Sequence, residues 1–191
     1  MKIEVKVLLV GLLLISNLFV LCYENSGRAV IVYGASCSGK STLAKALKKK
    51  LAGWEILEFD AIEMELKQLS NQVTNSQIAE KLFKSALAQL ENGTNLIIDT
   101  NVFDETWISA LNSFLHGCIF VFCPREELLL RNSIRDQRIN RSPQRSFYAK
   151  KYVESTYERF SNLELYDLKI DSSTMSVDQS LELCLKHFYL K

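Results

Sequence analysis

Apolar positions divide the chain into a leader and an alternating body. In residues 1–22 (MKIEVKVLLVGLLLISNLFVLC), Lys2 and Lys6 precede a run from Val7 to Leu21 in which only Gly11, Ser16 and Asn17 are not apolar. A basic start followed by such a run is the pattern of a secretory signal peptide. As a helix it would be roughly 22 Å long, short of the ~30 Å hydrocarbon core of a bilayer. The pattern predicts an apolar N-terminal helix over 1–22, serving as signal peptide or signal anchor, and a linker at 23–27 (YENSG). From residue 28 onward the period changes repeatedly. Apolar, β-branched runs predict strands at 28–34 (RAVIVYG), 54–60 (WEILEFD), 95–100 (NLIIDT), 118–123 (CIFVFC) and 166–171 (YDLKID). Helical spacing predicts helices at 41–53, 61–69, 76–93, 104–115, 125–138, from the Ser142-Pro143 break to about Phe160, and at 177–188. In the third of these, Ile78, Leu82, Ala86 and Leu90 share one face, and Pro124 is well placed to open the fifth.

Strands that alternate with helices form right-handed βαβ units and a parallel sheet. Strands buried on both faces read as continuous apolar runs, as AVIVY, LII and CIFVF do. The expected architecture is therefore α/β in three layers, with about five parallel strands and helices on both faces, in one domain over 28–191.

Composition narrows the options. The 191 residues are 48% hydrophobic and 24% charged, which excludes a disordered chain. Lys and Arg number 23 against 22 Asp and Glu, a balance that argues against a dedicated nucleic-acid binder. The five cysteines are odd in number and lack framework spacing, so they do not suggest a disulfide scaffold; Cys118 and Cys123 read as core thiols. His116 and His187 stand alone, and no CxxC or His cluster offers a structural metal site.

The most specific signal follows the first strand. Gly34-Ala35-Ser36-Cys37-Ser38-Gly39-Lys40-Ser41 is G-x-x-x-x-G-K-S, the Walker A pattern, with Thr42 next. Gly34 and Gly39 let the loop turn its backbone N–H groups inward on a phosphate, where the next helix adds its positive N-terminal end. Lys40 supplies a charge for the β- and γ-phosphates of ATP, and the Ser41 hydroxyl can ligate Mg2+. Residues 34–42 are thus the expected nucleotide-binding set.

Asp60 and Asp99 each end an apolar strand, and ligands of doubly wound sheets sit beyond those ends. One carboxylate can accept a proton from an acceptor hydroxyl; the other can steady Mg2+ through water. Asp60 is the candidate base and Asp99 the candidate metal residue. Arg131, Arg135 and Arg138 are spaced i, i+4, i+7, which puts three guanidiniums on one helix face. Such donors stabilise the charge of a transferring phosphoryl group. Arg141 and Arg145 prolong the basic stretch, and the segment about 131–146 is where a mobile cover would lie.

These residues resemble the chloramphenicol phosphotransferase-like branch of small P-loop kinases and, more loosely, zeta-toxin, shikimate and adenylylsulfate kinases. The resemblance rests on GASCSGKST (34–42), EFDAIEME (58–65), NLIIDTNVF (95–103), RNSIRDQR (131–138) and LYDLKIDSSTMSVDQSLELCL (165–185), in family order. It implies a five-stranded parallel P-loop kinase fold, Asp60 as an acceptor-facing general base, lid arginines at 131, 135 and 138, and Thr42 at the α-phosphate. Two departures stand out. Thr100 replaces a usual second Asp, with Asn101 and Asp104 nearby, and Asp136-Gln137 replaces a usual Gly-containing step.

The expectation is an ATP- and Mg2+-dependent phosphotransferase acting on a hydroxyl of a small molecule. The alternative is a nucleotide-binding degenerate kinase, or a toxin-like or effector module, that works through a protein partner. The acceptor pocket is expected from 61–80 and 101–110, with Trp107 more often core than platform in such a place. Membrane contact is expected only through residues 7–21. The leader points to export, whereas ATP chemistry and unpaired thiols point to a cytosol-like compartment.

Overall fold

The computed structural model describes residues 26–70, 72–102 and 105–190. The expected leader at 1–22 and most of the linker lie outside the described residues, as does Asp104. Among the described residues, no helix is long and apolar enough to cross a membrane.

Five parallel strands form one sheet: β1 (Ala29–Tyr33), β2 (Trp54–Glu58), β3 (Asn95–Thr100), β4 (Leu115–Phe122) and β5 (Leu168–Asp171), in the order β2-β3-β1-β4-β5. In register, Val30 of β1 lies beside Ile97 of β3 and Gly117 of β4. The helices are α1 (Lys40–Lys50), α2 (Phe59–Leu69), α3 (Asn75–Glu91), α4 (Glu105–Leu111), α5 (Arg125–Arg138), α6 (Pro143–Ser161) and α7 (Val177–His187).

Alternate strand residues feed two separate cores, because successive Cβ atoms point to opposite faces. Ala29, Ile31, Tyr33, Leu96, Ile98 and Phe120 face α2, α3, α5 and α6, where Phe83, Leu128, Val153 and Phe160 are buried. Val30, Val32, Ile97, Ile119 and Val121 face α1 and α7, against Leu43, Leu47, Leu181 and Cys184. Burial of one such aliphatic side chain contributes about 1.5–3 kcal/mol. Cys118, Cys123 and Cys184 are buried thiols, as the first two were expected to be, and burial pushes those of Cys118 and Cys184 up to about 12.

Local signals set the helix starts. Thr74 and Gln77 form a reciprocal capping box on α3, Ser176 and Gln179 another on α7, and Ser142 caps α6 with Pro143 in its first turn.

Several boundaries differ from the pattern; the first helix, for one, ends at Lys50 and not at 53. β2 ends at Glu58, so Asp60 lies in the first turn of α2 and not at a strand end. Burial of Phe59 and Ile62 against the sheet turns the chain into helix there, and an acid suits a helix N-terminus. α4 is only seven residues, and β4 starts at Leu115, where pairing with Ala29 draws His116 and Gly117 into the sheet. β5 begins at Leu168, two residues after the run expected to start at Tyr166.

Candidate active site

β1 delivers the phosphate loop at the carboxyl end of the sheet, between β3 and β4. Gly34 is required by close approach: a Cβ there would sit 2.4 Å from the Val121 carbonyl oxygen of β4 and 2.9 Å from Ser38 Oγ. Cys37 and Gly39 take positive φ values of 68° and 96°. Left-handed residues on either side of Ser38 suit a loop that turns its N–H groups to one side, as in an anion nest. α1 then begins at Lys40 with no side-chain cap and no acid in its first turn. Its N-terminal N–H groups and dipole are left for an anion. Three lysines, Lys48 to Lys50, close the helix where its dipole is negative.

A cleft of about 900 Å3 opens above the loop. Ser36, Cys37, Gly39, Lys40, Ser41 and Thr42 line its floor, while Gly34, Ala35 and Ser38 are buried and do not line it. Asp99 lies beside the floor, 4% exposed, at the end of β3. Burial holds its carboxyl above the usual range, helped by Asp60 and Glu58 and opposed by Lys40 and the Ser41 hydroxyl. Asp99 Oδ1 is buried with no hydrogen-bond partner among the described residues.

Arg131, Arg135 and Arg138 all line the cleft, as their spacing predicts. Their roles differ. Arg131 is a staple: Nε donates to Glu127 Oε1 (2.9 Å), Nη1 to Ser172 Oγ (3.0 Å), and Nη2 to the Ser172 carbonyl (2.7 Å). It ties α5 to the loop after β5, next to the phosphate loop. Arg135 leans on Asn132 Oδ1 at 3.3 Å.

Asp136, at the place of the missing glycine step, is buried and ion-paired with Arg141. Its other oxygen accepts from Asn132 Nδ2 at 3.3 Å, and Asn132 in turn lies 3.9 Å from the Cys37 thiol. This polar chain sets Arg141 on the cleft rim as a further arginine.

The expected cover at 131–146 spans the end of α5, the turn and the start of α6. The structure extends it: α6 contributes Ala149 and Tyr152 to the cleft. On the opposite side α2 presents Asp60, Glu63 and Met64, α3 presents Asn75, and the end of β3 presents Asn101. Trp107 takes no part and stacks on Phe83 with ring centroids 5.4 Å apart. Glu63 and Asn75 fall within 61–80, the stretch expected for the acceptor pocket, although neither was singled out; Glu63 also lies one helical turn after Asp60. Tyr152 and Ser172 were not legible as site residues. Among the described residues, no group of three or more His, Cys, Asp or Glu could hold a metal ion.

Residues 27–189 match the chloramphenicol phosphotransferase-like proteins. The chain belongs to that family. No curated protein matches it. Among solved structures, a Chloroflexus aurantiacus protein shares a TM-score of 0.65 at 18% identity, over 86% of this chain and 97% of that one. A gluconokinase from Sinorhizobium meliloti 1021 has a TM-score of 0.59 at 16% identity, over 86% and 93%. An APS kinase of Mycobacterium tuberculosis, in complex with AMPPNP and APS, has 0.59 at 17%, over 86% and 98%. At these identities the likeness shows the fold, that of P-loop kinases. Membership in this phosphotransferase-like family, together with that fold, supports a nucleotide-binding kinase.

Proposed function

We propose that the protein transfers the γ-phosphoryl group of ATP to a hydroxyl of a small molecule. The observation that carries this is the cleft itself: a phosphate loop and arginines on one side, a solvent-facing carboxylate, Asp60, on the other.

The residues fit ATP with Mg2+. The uncapped start of α1 and the left-handed turns at Cys37 and Gly39 form a phosphate cradle. Ser41 and the orphaned oxygen of Asp99 form the polar corner where a hydrated Mg2+ would be held. Mg2+ keeps several waters and takes one or two protein oxygens plus phosphates, so a dedicated cage is not needed. When bound, the ion neutralises charge building on the phosphate oxygens.

Lys40 holds the β- and γ-phosphates, and Arg135, Arg138 and Arg141 donate to the equatorial oxygens of the transferring group. Asp60 orients the acceptor hydroxyl and takes its proton as the new O–P bond forms. The bond from the γ-phosphorus to the bridging oxygen breaks, and ADP leaves with that electron pair. Arg131 also lines the cleft; four of its five N–H groups are engaged by Glu127, Ser38 and Ser172, which fixes it beside the phosphate loop and leaves one Nη2 N–H for the transferring group.

The test is ATP turnover against a library of hydroxyl compounds. Asp60→Asn should lower kcat by about 10²–10⁴-fold while leaving nucleotide affinity unchanged. Full transfer activity in that variant would sink the base assignment.

A further inference from the structure

The wall facing the arginines is built from groups that accept hydrogen bonds. Asp60 and Glu63 lie i, i+3 on α2, so both carboxylates border one side of the cleft. Asn101 is 5% exposed; its amide N–H reaches Tyr152 Oη at 2.8 Å, and its Oδ1 is buried with no partner among the described residues. A buried acceptor left in that state costs free energy until a donor reaches it. Burial raises the Tyr152 phenol above its usual pKa, Asp60 and Glu63 raise it further, and Arg159 and the Asn101 hydrogen bond oppose them, so both carboxylates act on the same hydroxyl, with Arg159, which does not line the cleft, as the counter-charge.

The cations of the cleft, Lys40 and the arginines, come from the phosphate loop, α5 and the turn after it, and not from this wall. Lys67 pairs with Glu63 at 2.6 Å, but it does not line the cleft and its side chain is 57% exposed. An exposed pair of this kind is weak and readily exchanged.

We propose that this wall is an acceptor subsite for a donor-rich cation, a small amino alcohol or amino sugar, with its ammonium group held by Glu63 and Asn101 Oδ1 and its hydroxyl at Asp60. The proposal rests on the kinase function of the same cleft. Ionised carboxylates accept only, and an ammonium group donates three hydrogen bonds and accepts none, so the two sets match. A carboxylate or sulfate on the acceptor would meet two like charges, which makes the wall a filter against anionic acceptors.

The experiment uses the full chain with AMPPNP and two matched sets: glucosamine, glucose and gluconate; serinol, glycerol and glycerate. Calorimetric binding is measured for each, and phosphate transfer from ATP to each is measured in parallel. In at least one set, the amine should bind ten times tighter or more than its neutral and anionic analogues. Glu63→Gln should remove most of that preference, and Glu63→Lys should turn it toward the anion. The subsite is overturned if no amine binds, if a neutral or anionic analogue binds as well, or if the ratio is unchanged in both variants. Tight amine binding without transfer to any compound would keep the subsite and overturn the kinase reading. Preferred transfer to gluconate or glycerate would keep the kinase reading and overturn the subsite.

Discussion

The two halves of the cleft are assembled in different ways. The phosphate half comes mostly from nine consecutive residues, 34–42, running from the end of β1 into the first turn of α1. The acceptor half gathers Asp60 and Glu63 from α2, Asn75 from the start of α3, Asn101 from just beyond β3 and Tyr152 from α6. A contiguous site depends on local backbone geometry and tolerates little change. A gathered site depends on how elements pack, and each side chain in it can vary while the fold is kept.

Substitutions should separate the halves. The largest effect is expected from Lys40→Ala, a loss of about 10³-fold in kcat. Turnover within tenfold of the wild type would detach the chemistry from the phosphate loop. Asp136→Ala comes next, because it breaks a buried pair and leaves Arg141 and Asn132 short of a partner. It should cost about 3 kcal/mol, or roughly 6–12 °C in Tm, and weaken both halves together. A thermal melt that does not move would show that the pair carries no stability.

Gly34→Ala should cost about 2 kcal/mol through the clash with the Val121 carbonyl, read as a lower denaturation midpoint. A variant with both the wild-type midpoint and wild-type nucleotide affinity would show that the loop can move away from β4. The smallest effect is expected from Tyr152→Phe. Loss of one hydrogen bond to Asn101 is worth about 1 kcal/mol, roughly a fivefold rise in acceptor KM. Nucleotide affinity should not change, and an equal shift in both would mean that the halves are one unit.

Much of the scaffold was legible in the chain. Continuous apolar runs marked β1, β3 and β4, the inner strands covered on both faces, whereas the edge strands β2 and β5 carry polar, partly exposed positions. Helical spacing marked the seven helices, and Ile78, Leu82, Ala86 and Leu90 are all buried as that spacing requires. Boundaries were less legible where one residue suited two states. Phe59 fits a strand or a helix start by pattern, and only its packing against the sheet selects helix. Asp60 therefore sits in a helical turn that carries Glu63 into the cleft with it. Arg131 shows the same limit. Its spacing placed it on the arginine face, but it also bonds Glu127, Ser38 and Ser172, the last 41 residues away in sequence.

By itself the sequence determined the strand and helix alternation, the phosphate loop and the face that carries three arginines. Each of these depends on residues close together along the chain, where backbone sterics and periodicity act directly. Only the tertiary structure decided which arginine is a staple, that Asp136 holds Arg141, and that Asn101 and Tyr152 meet across 51 residues. The Asn101–Tyr152 and Arg131–Ser172 contacts arise from the packing of α6 and α5 against the sheet and the loop after β5, over separations no local interaction encodes, and the Asp136–Arg141 pair, five residues apart, depends on how the chain turns between α5 and α6.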